Sequence, residues 1–173
     1  IHSAIASVDS GDCHLNLIDT AGYADFSGQT LSALGAVETC AVVVNAINGI
    51  EHGTRRMMHY AKERRLARVL VVNRIDMEGV DLATLVEELR EEFGHECLPV
   101  NLPADKGAKV VDCFFAPQGS SDLGDVAEAH QRIIDQVVEI NERVMDHYLE
   151  DGETALSREE LHDAFEQCLR EGH

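Results

Sequence analysis

Basic side chains are scarce in this sequence. Its 173 residues include 14 lysines and arginines against 32 aspartates and glutamates, for a formal net charge of -18. A nucleic-acid-binding protein needs a positive face that contacts phosphates. The composition therefore argues against general nucleic-acid binding, and we expect no sequence-specific nucleic-acid partner.

Disulfide and metal-ligand patterns are also missing. The sequence has no CxxC pair and no histidine at metal-ligand spacing from its five scattered cysteines, Cys13, Cys40, Cys97, Cys113 and Cys168. We expect reduced, buried thiols and a cytoplasmic location. No apolar run approaches the about 20 residues of a membrane helix and no signal sequence opens the chain, so we expect no membrane partner.

What the sequence does contain, in residues 1–96, is an alternation of strand and helix patterns. Ile1–Val8 and Cys13–Ile18 flank turn residues and predict an antiparallel hairpin. Apolar periodicity predicts helices and buried strands in the order Gly28–Glu38, Cys40–Ala46, Gly53–Arg65, Ala67–Asn73 and Asp81–Phe93. This order predicts an α/β domain, with a mostly parallel sheet and helices on both faces.

Residues 97–173 have a different pattern. Short strand-like pieces flank the turn-like stretch Ala104–Gly107, and a Ser/Gly-rich loop follows at Pro117–Gly124. One long amphipathic helix is predicted from Val126 to Tyr148, and a last helix begins at Ser157, with Glu160 at capping-box spacing. We therefore predict a small α+β subdomain of short strands and two helices, with a boundary after residue 96.

Two polar loops directly follow apolar strands. The first, Asp19–Gly22, comes after the predicted hairpin, and the second, Asn73–Asp76, comes after the second buried strand. Ligands of open parallel sheets bind at the carboxyl ends of the strands. We therefore expect both loops to open on the same edge of the sheet.

The side chains of these loops fit a guanine-nucleotide site. The Asp19 carboxylate can hold Mg2+ through water, and Gly22 lets a backbone N–H approach a γ-phosphate oxygen. The Asp76 carboxylate can accept both N–H groups on the Watson–Crick edge of guanine. Asn73 can brace its loop and touch the purine, while the flat guanidinium of Arg74 can lie over the base. Adenine lacks the matching donors, so the two loops together would select guanine.

In this order, the two loops resemble motifs of the translation-factor GTPases. Asp19–Gly22 matches the DxxG motif of that family, and Asn73–Asp76 matches its NKxD motif. The run His14–Glu51 resembles the second switch, following helix and next strand of elongation factor G-like proteins. Leu98–Phe115 and the helix ending in YLEDGETALSREEL resemble their inserted subdomain. The resemblance covers nearly the whole chain, and it implies GTP or GDP as ligand, Mg2+ as cofactor and the ribosome as partner.

The sequence departs from the family pattern in one large respect, because GxxxxGK[ST] is absent. That loop cradles the α- and β-phosphates. We expect it upstream of Ile1 together with the first switch, and we expect the loop that completes the guanine pocket beyond His173. The resemblance thus implies an incomplete P-loop GTPase-like domain, a middle piece of a larger protein.

Three smaller departures fall inside the loops. Ala21 stands where the family usually has proline, which makes the loop less rigid before Gly22, and Arg74 stands where lysine is usual. Tyr23 stands where the family usually has the histidine that positions the attacking water, so it is the candidate catalytic residue. A phenol can orient water but cannot carry positive charge. The alternative role of Tyr23 is a surface aromatic in a mobile loop.

The sequence therefore predicts a fragment of an elongation factor G-like GTPase that acts on the ribosome and that is inactive alone. Two alternatives stay open, a GTPase-derived module that only binds proteins and a ribosomal protection protein. The basic side chains crowded into Arg55–Arg68 also allow two interpretations, a contact with ribosomal RNA or a solvated helix end.

Overall fold

The computed structural model describes residues 3–11, 13–151 and 156–172, which contain three two-stranded sheets. Strands β1 (Ala4–Ser10) and β2 (Cys13–Asp19) form the predicted antiparallel hairpin. Strands β3 (Thr39–Asn45) and β4 (Ala67–Asn73) are parallel. Strands β5 (Asn101–Ala104) and β6 (Lys109–Asp112) form a second antiparallel pair.

Helices connect and cover these strands. A short 3-10 helix at Ala24–Phe26 precedes α1, and the α-helices are α1 (Ser27–Ala33), α2 (His52–Glu63), α3 (Leu82–Phe93), α4 (Val126–Ile140), α5 (Glu142–Asp151) and α6 (Arg158–Glu171). The predicted α/β class is confirmed. Among the residues described, no helix is both long and apolar enough to cross a membrane.

The β3–β4 pair buries one face. In β3 the side chains alternate, so that Val42 and Val44 are buried while Val43 is 62% exposed. The buried side chains pack against residues of α2 and α3. Val71, the partner of Val43 in the register, is 42% exposed. In the described residues, helices thus cover one face of this pair and the face with Val43 and Val71 is open, which corrects the expectation of helices on both faces.

A third cluster of buried side chains belongs to the second half of the chain. It contains Leu102 and Cys113, together with residues of α4, α5 and α6 such as Ile134 and Ala164. Among the described residues, the two clusters around β3 and β4 contain none beyond Phe93. This separation agrees with a boundary after residue 96, which itself stays a prediction.

The helix predicted to run from Val126 to Tyr148 is broken, so that prediction is wrong. Asn141 has extended backbone angles, and its side-chain oxygen accepts the Val144 N–H at 3.3 Å. Asparagine is favoured at such a helix start because its side chain replaces a missing backbone partner. The described residues of the second half therefore contain three helices, α4, α5 and α6, where the sequence predicted two. The capping box predicted at Ser157 and Glu160 is confirmed.

The cysteines form no disulfide, and their burial differs. Cys13 is exposed on the hairpin, which corrects the expectation that all the thiols are buried. Burial raises the pKa of the other four thiols, those of Cys40, Cys97, Cys113 and Cys168. A raised pKa leaves less of the reactive thiolate at neutral pH.

We therefore predict selective alkylation of the folded chain. With iodoacetamide at pH 7.5, Cys13 should react at least about 10-fold faster than Cys113, because burial limits the access of the reagent to the Cys113 thiol and raises the pKa of that thiol. Peptide mass spectrometry over time measures the order of labelling. In urea the cysteines should react at similar rates, and equal rates without urea would contradict the described burial.

Candidate functional site

The ends of β3 and β4 lie side by side. The parallel register pairs Asn45 with Asn73, the last residues of the two strands. The Ala46 N–H donates to the Asn73 carbonyl at 2.9 Å, which continues the pairing past the strands. The Asn45 side-chain oxygen accepts the Ile47 N–H at 3.1 Å and turns the chain away. These hydrogen bonds hold Asn73, the first residue of the loop after β4, in a defined position.

That loop, Asn73–Asp76, is called the NRID loop below. Arg74 has a φ of 61°, a left-handed conformation that is uncommon outside glycine. The Asn73 side-chain oxygen accepts the Arg74 N–H at 2.9 Å and thereby stabilises this turn. The Met77 N–H donates to the Arg74 carbonyl at 3.3 Å. Asn73 thus makes a hydrogen bond of the bracing kind expected from the sequence.

The two charged side chains of the NRID loop are available for a ligand. Arg74 and Asp76 are exposed. Within the described residues, neither side chain makes an ion pair or hydrogen bond. An unpaired carboxylate and an unpaired guanidinium in one turn can recognise, respectively, adjacent N–H donors and a flat aromatic ring.

The loop after β2, Asp19–Gly22, is called the DTAG loop below. It is held to α1 by a hydrogen bond of 3.4 Å from the Thr30 hydroxyl to the Ala21 carbonyl. Gly22 is exposed, and a Cβ atom added there would meet no atom of the protein within 4 Å. Packing within the protein therefore does not require glycine at this position. Tyr23 follows with 74% of its surface exposed.

Asp19 is the candidate residue for Mg2+. It ends β2 opposite Ala4, it is exposed, and within the described residues its side chain makes no hydrogen bond or ion pair. Carboxylate oxygens suit a hard cation, which keeps most of its water. The donor chemistry at Asp19 therefore fits Mg2+ held through water. On α6, potential ligand atoms of His162, Asp163 and Glu166 lie within 4.8 Å of one another. Glu166 already pairs with Arg170, so we assign no metal there.

The predicted residues form two groups. Asn73, Arg74 and Asp76 share one turn, and the other group consists of Asp19, Ala21, Gly22 and Tyr23. Their strands belong to different sheets, and no hydrogen bond or ion pair joins the two loops in the part of the chain described. That the loops share one crevice stays a prediction.

The sequence did not predict that a third segment contacts the NRID loop. A Cβ atom added to Gly107, in the turn between β5 and β6, would lie 2.6 Å from the Ile75 carbonyl oxygen. The sequence predicted only a turn at Gly107. The contact with Ile75 joins segments far apart in the chain, so a local pattern could not indicate it.

Three of the basic side chains in Arg55–Arg68 have partners within the chain. Arg55 forms an ion pair of 2.9 Å with Glu92, and Arg56 donates to the Ser27 hydroxyl at 3.2 Å. Arg68 donates to the Gly172 carbonyl at 3.0 Å. These contacts give the basic segment a structural role, and within the described residues Arg55 is the one of the three that pairs with an acidic side chain.

Comparisons with known proteins agree with this description. The sequence model of the elongation factor Tu GTP binding domain matches residues 1–169. The crystal structure of ttk003000868 from Thermus thermophilus is similar with a TM-score of 0.82 and 29% identity, over 99% of this chain. The chain spans 28% of the length of that relative. Because the family match covers nearly all of its residues, the chain belongs to the family of elongation factor Tu GTP binding domains, the GTPases of translation factors.

Proposed function

We propose that this chain is the central part of the GTP-binding domain of an elongation factor G-like GTPase. In this proposal the whole protein is cytoplasmic, binds GTP and GDP with Mg2+, and acts on the ribosome. Family membership supports guanine-nucleotide binding. The observation that carries the proposal is the NRID loop, in which a braced left-handed turn leaves Arg74 and Asp76 exposed and unpaired.

The NRID loop would select the base. The two oxygens of Asp76 accept hydrogen bonds from N1–H and the 2-amino group of guanine, a pair of donors that adenine does not offer. Arg74 covers the face of the ring with its planar guanidinium. The hydrogen bond from the Arg74 N–H to the Asn73 side chain keeps the turn in place. Holding the carboxylate in position before binding reduces the entropy that binding costs.

The DTAG loop would sense the terminal phosphate. A backbone N–H at Gly22 can donate to a γ-phosphate oxygen, and a side chain at this position would occupy the space through which the phosphate approaches. That space contains no protein atom within 4 Å of the added Cβ. The loop is held at Ala21 by Thr30 of α1, so a change in the loop can be transmitted to that helix.

Mg2+, when bound, would neutralise charge on the β- and γ-phosphates. Asp19 would hold its water ligands from the end of β2. Tyr23, one residue after Gly22, would orient the attacking water by accepting or donating a hydrogen bond through its hydroxyl. It cannot supply positive charge, so hydrolysis depends on the other groups around the phosphates.

The chain alone should bind guanine nucleotide weakly and should not hydrolyse GTP. The sequence has no GxxxxGK[ST] loop, which supplies most of the phosphate contacts. Titration of a fluorescent GDP analogue into the 173-residue chain measures this affinity. Sub-micromolar binding would contradict the expectation, and the same chain expressed with the flanking sequence of its gene is the positive comparison.

The role of Asp76 can be tested in the protein expressed with its flanking sequence. Asp76→Asn replaces one acceptor oxygen by an N–H donor, so GDP should bind at least about 10-fold more weakly, since a hydrogen bond to a charged group contributes about 1.5–3 kcal/mol. Xanthosine diphosphate has an acceptor at carbon 2 in place of the amino group, and its affinity should rise. Competition titrations measure both affinities.

The matched control for this variant is Glu78→Gln, which removes an exposed charge next to the same loop. It should leave the affinities for both nucleotides unchanged. The proposal for Asp76 fails if Asp76→Asn and Glu78→Gln give the same profile.

The alternative function, a module that only binds proteins, is favoured by one observation. The β1–β2 hairpin exposes four large apolar side chains, those of Ile5, Val8, Leu15 and Leu17. Apolar groups in such numbers are typical of surfaces that another protein segment covers. A gene that encodes GxxxxGK[ST] ahead of Ile1 supports the GTPase, and a start codon close to Ile1 supports the binding module.

A further inference from the structure

The turn between β5 and β6 has an unusual backbone. Asp105, Lys106 and Gly107 all have positive φ values, of 54°, 58° and 79°. The Ala108 N–H donates to the Asp105 carbonyl at 3.2 Å and closes the turn. Positive φ is costly for residues other than glycine, so contacts elsewhere have to stabilise this conformation.

Asp122, in the loop before α4, provides such contacts. Its carboxylate accepts the Lys106 N–H at 2.7 Å and the Gly107 N–H at 3.3 Å. Its own N–H donates to the Pro103 carbonyl at 2.8 Å. Asp122 thus takes part in three hydrogen bonds, one to Pro103 in β5 and two to Lys106 and Gly107 at the tip of the turn.

The tip of this fixed turn lies against the backbone of the NRID loop. A Cβ atom on Gly107 would lie 2.6 Å from the Ile75 carbonyl oxygen, 2.8 Å from its carbon and 2.9 Å from the Asp76 nitrogen. Carbon atoms in proteins do not approach backbone atoms so closely without displacing them. The Ile75 side chain also packs against the cluster that includes Val44 and Leu85, so the loop is held from two sides.

We propose that the β5–β6 turn positions the guanine-reading carboxylate, with Gly107 as the positioning residue. The inference rests on the proposed function, because it takes Asp76 to bind guanine. Gly107 permits the close approach, Asp122 holds the turn in place, and Ile75 transmits the position to Asp76. The second half of the chain thus sets how well the first half recognises the base.

The test compares GDP with inosine diphosphate in the protein expressed with its flanking sequence. Inosine lacks the 2-amino group, so the ratio of the two affinities reports the Asp76 contact while the phosphate contacts cancel. Gly107→Ala should lower the preference for GDP about 10-fold, the effect of one misplaced hydrogen bond to a charged group. A preference equal to that of the wild type would overturn the proposal.

Two further variants separate this effect from general damage. Gly11→Ala is the control, because Gly11 also has a positive φ, of 59°, but an added Cβ would meet no atom within 4 Å. It should leave the preference unchanged. Asp122→Ala releases the turn without introducing a clash, so it should lower the preference even if Gly107→Ala fails to fold. An unchanged preference in Asp122→Ala would overturn the proposal.

A second measurement separates this inference from the proposed function. Hydrogen exchange of the 173-residue chain without nucleotide reports the Met77 amide, which bonds to the Arg74 carbonyl at 3.3 Å. Exchange should be faster in Gly107→Ala and Asp122→Ala than in the wild type or Gly11→Ala, and equal rates would overturn the positioning role. If exchange responds but the wild type does not prefer GDP, the proposed function fails while the contact stands.

Discussion

The parallel pairing of β3 with β4 is the constraint on which the candidate guanine site depends. Its register places Asn45 opposite Asn73, so the loops that leave both strands begin at one edge. Burial fixes this register, because a slip of one residue would turn the buried Val44 to solvent and the exposed Val43 into the core. The packing of β3 and β4 against α2 and α3 therefore fixes where the NRID loop begins, although the charged side chains of that loop, Arg74 and Asp76, are exposed.

Much of the fold could be predicted from the sequence because its signals are local. The bounds predicted for β4, Ala67–Asn73, agree with the structure, because the apolar run Val69–Val72 is followed by the polar residues Asn73 and Arg74. The break at Asn141 could not be predicted from periodicity, because α4 and α5 pack on the same cluster and continue one apolar stripe. α1 ends at Ala33, whereas the sequence predicted a helix as far as Glu38. After Ala33, turn hydrogen bonds such as that from the Ala36 N–H to the Ala33 carbonyl replace the helical ones.

The candidate site also has features that could be predicted from the sequence and one that could not. The residue types of the NRID and DTAG loops are visible in the sequence, and so is their position after apolar strands. The bracing bond from Asn73 follows from the same local segment. The approach of Gly107 to Ile75 does not, because it requires the β5–β6 turn, the Asp122 hydrogen bonds and the placement of the second half to act together. A glycine in a polar turn gives no indication of which distant backbone it contacts.

In the proposed function, nucleotide selectivity and nucleotide affinity come from different loops, and the residues of this chain would contribute mainly to selectivity. In the proposed function, Asp76 would distinguish bases by the donors that they present, and Gly22 would distinguish nucleotides by whether a third phosphate is present. Each discrimination depends on one or two hydrogen bonds, which contribute a few kcal/mol at most after desolvation. Nucleotide affinity in this family comes chiefly from a phosphate-cradling loop, and the 173 residues contain no such sequence. If the proposed function holds, the NRID and DTAG loops would determine which nucleotide is bound without being sufficient to bind it tightly.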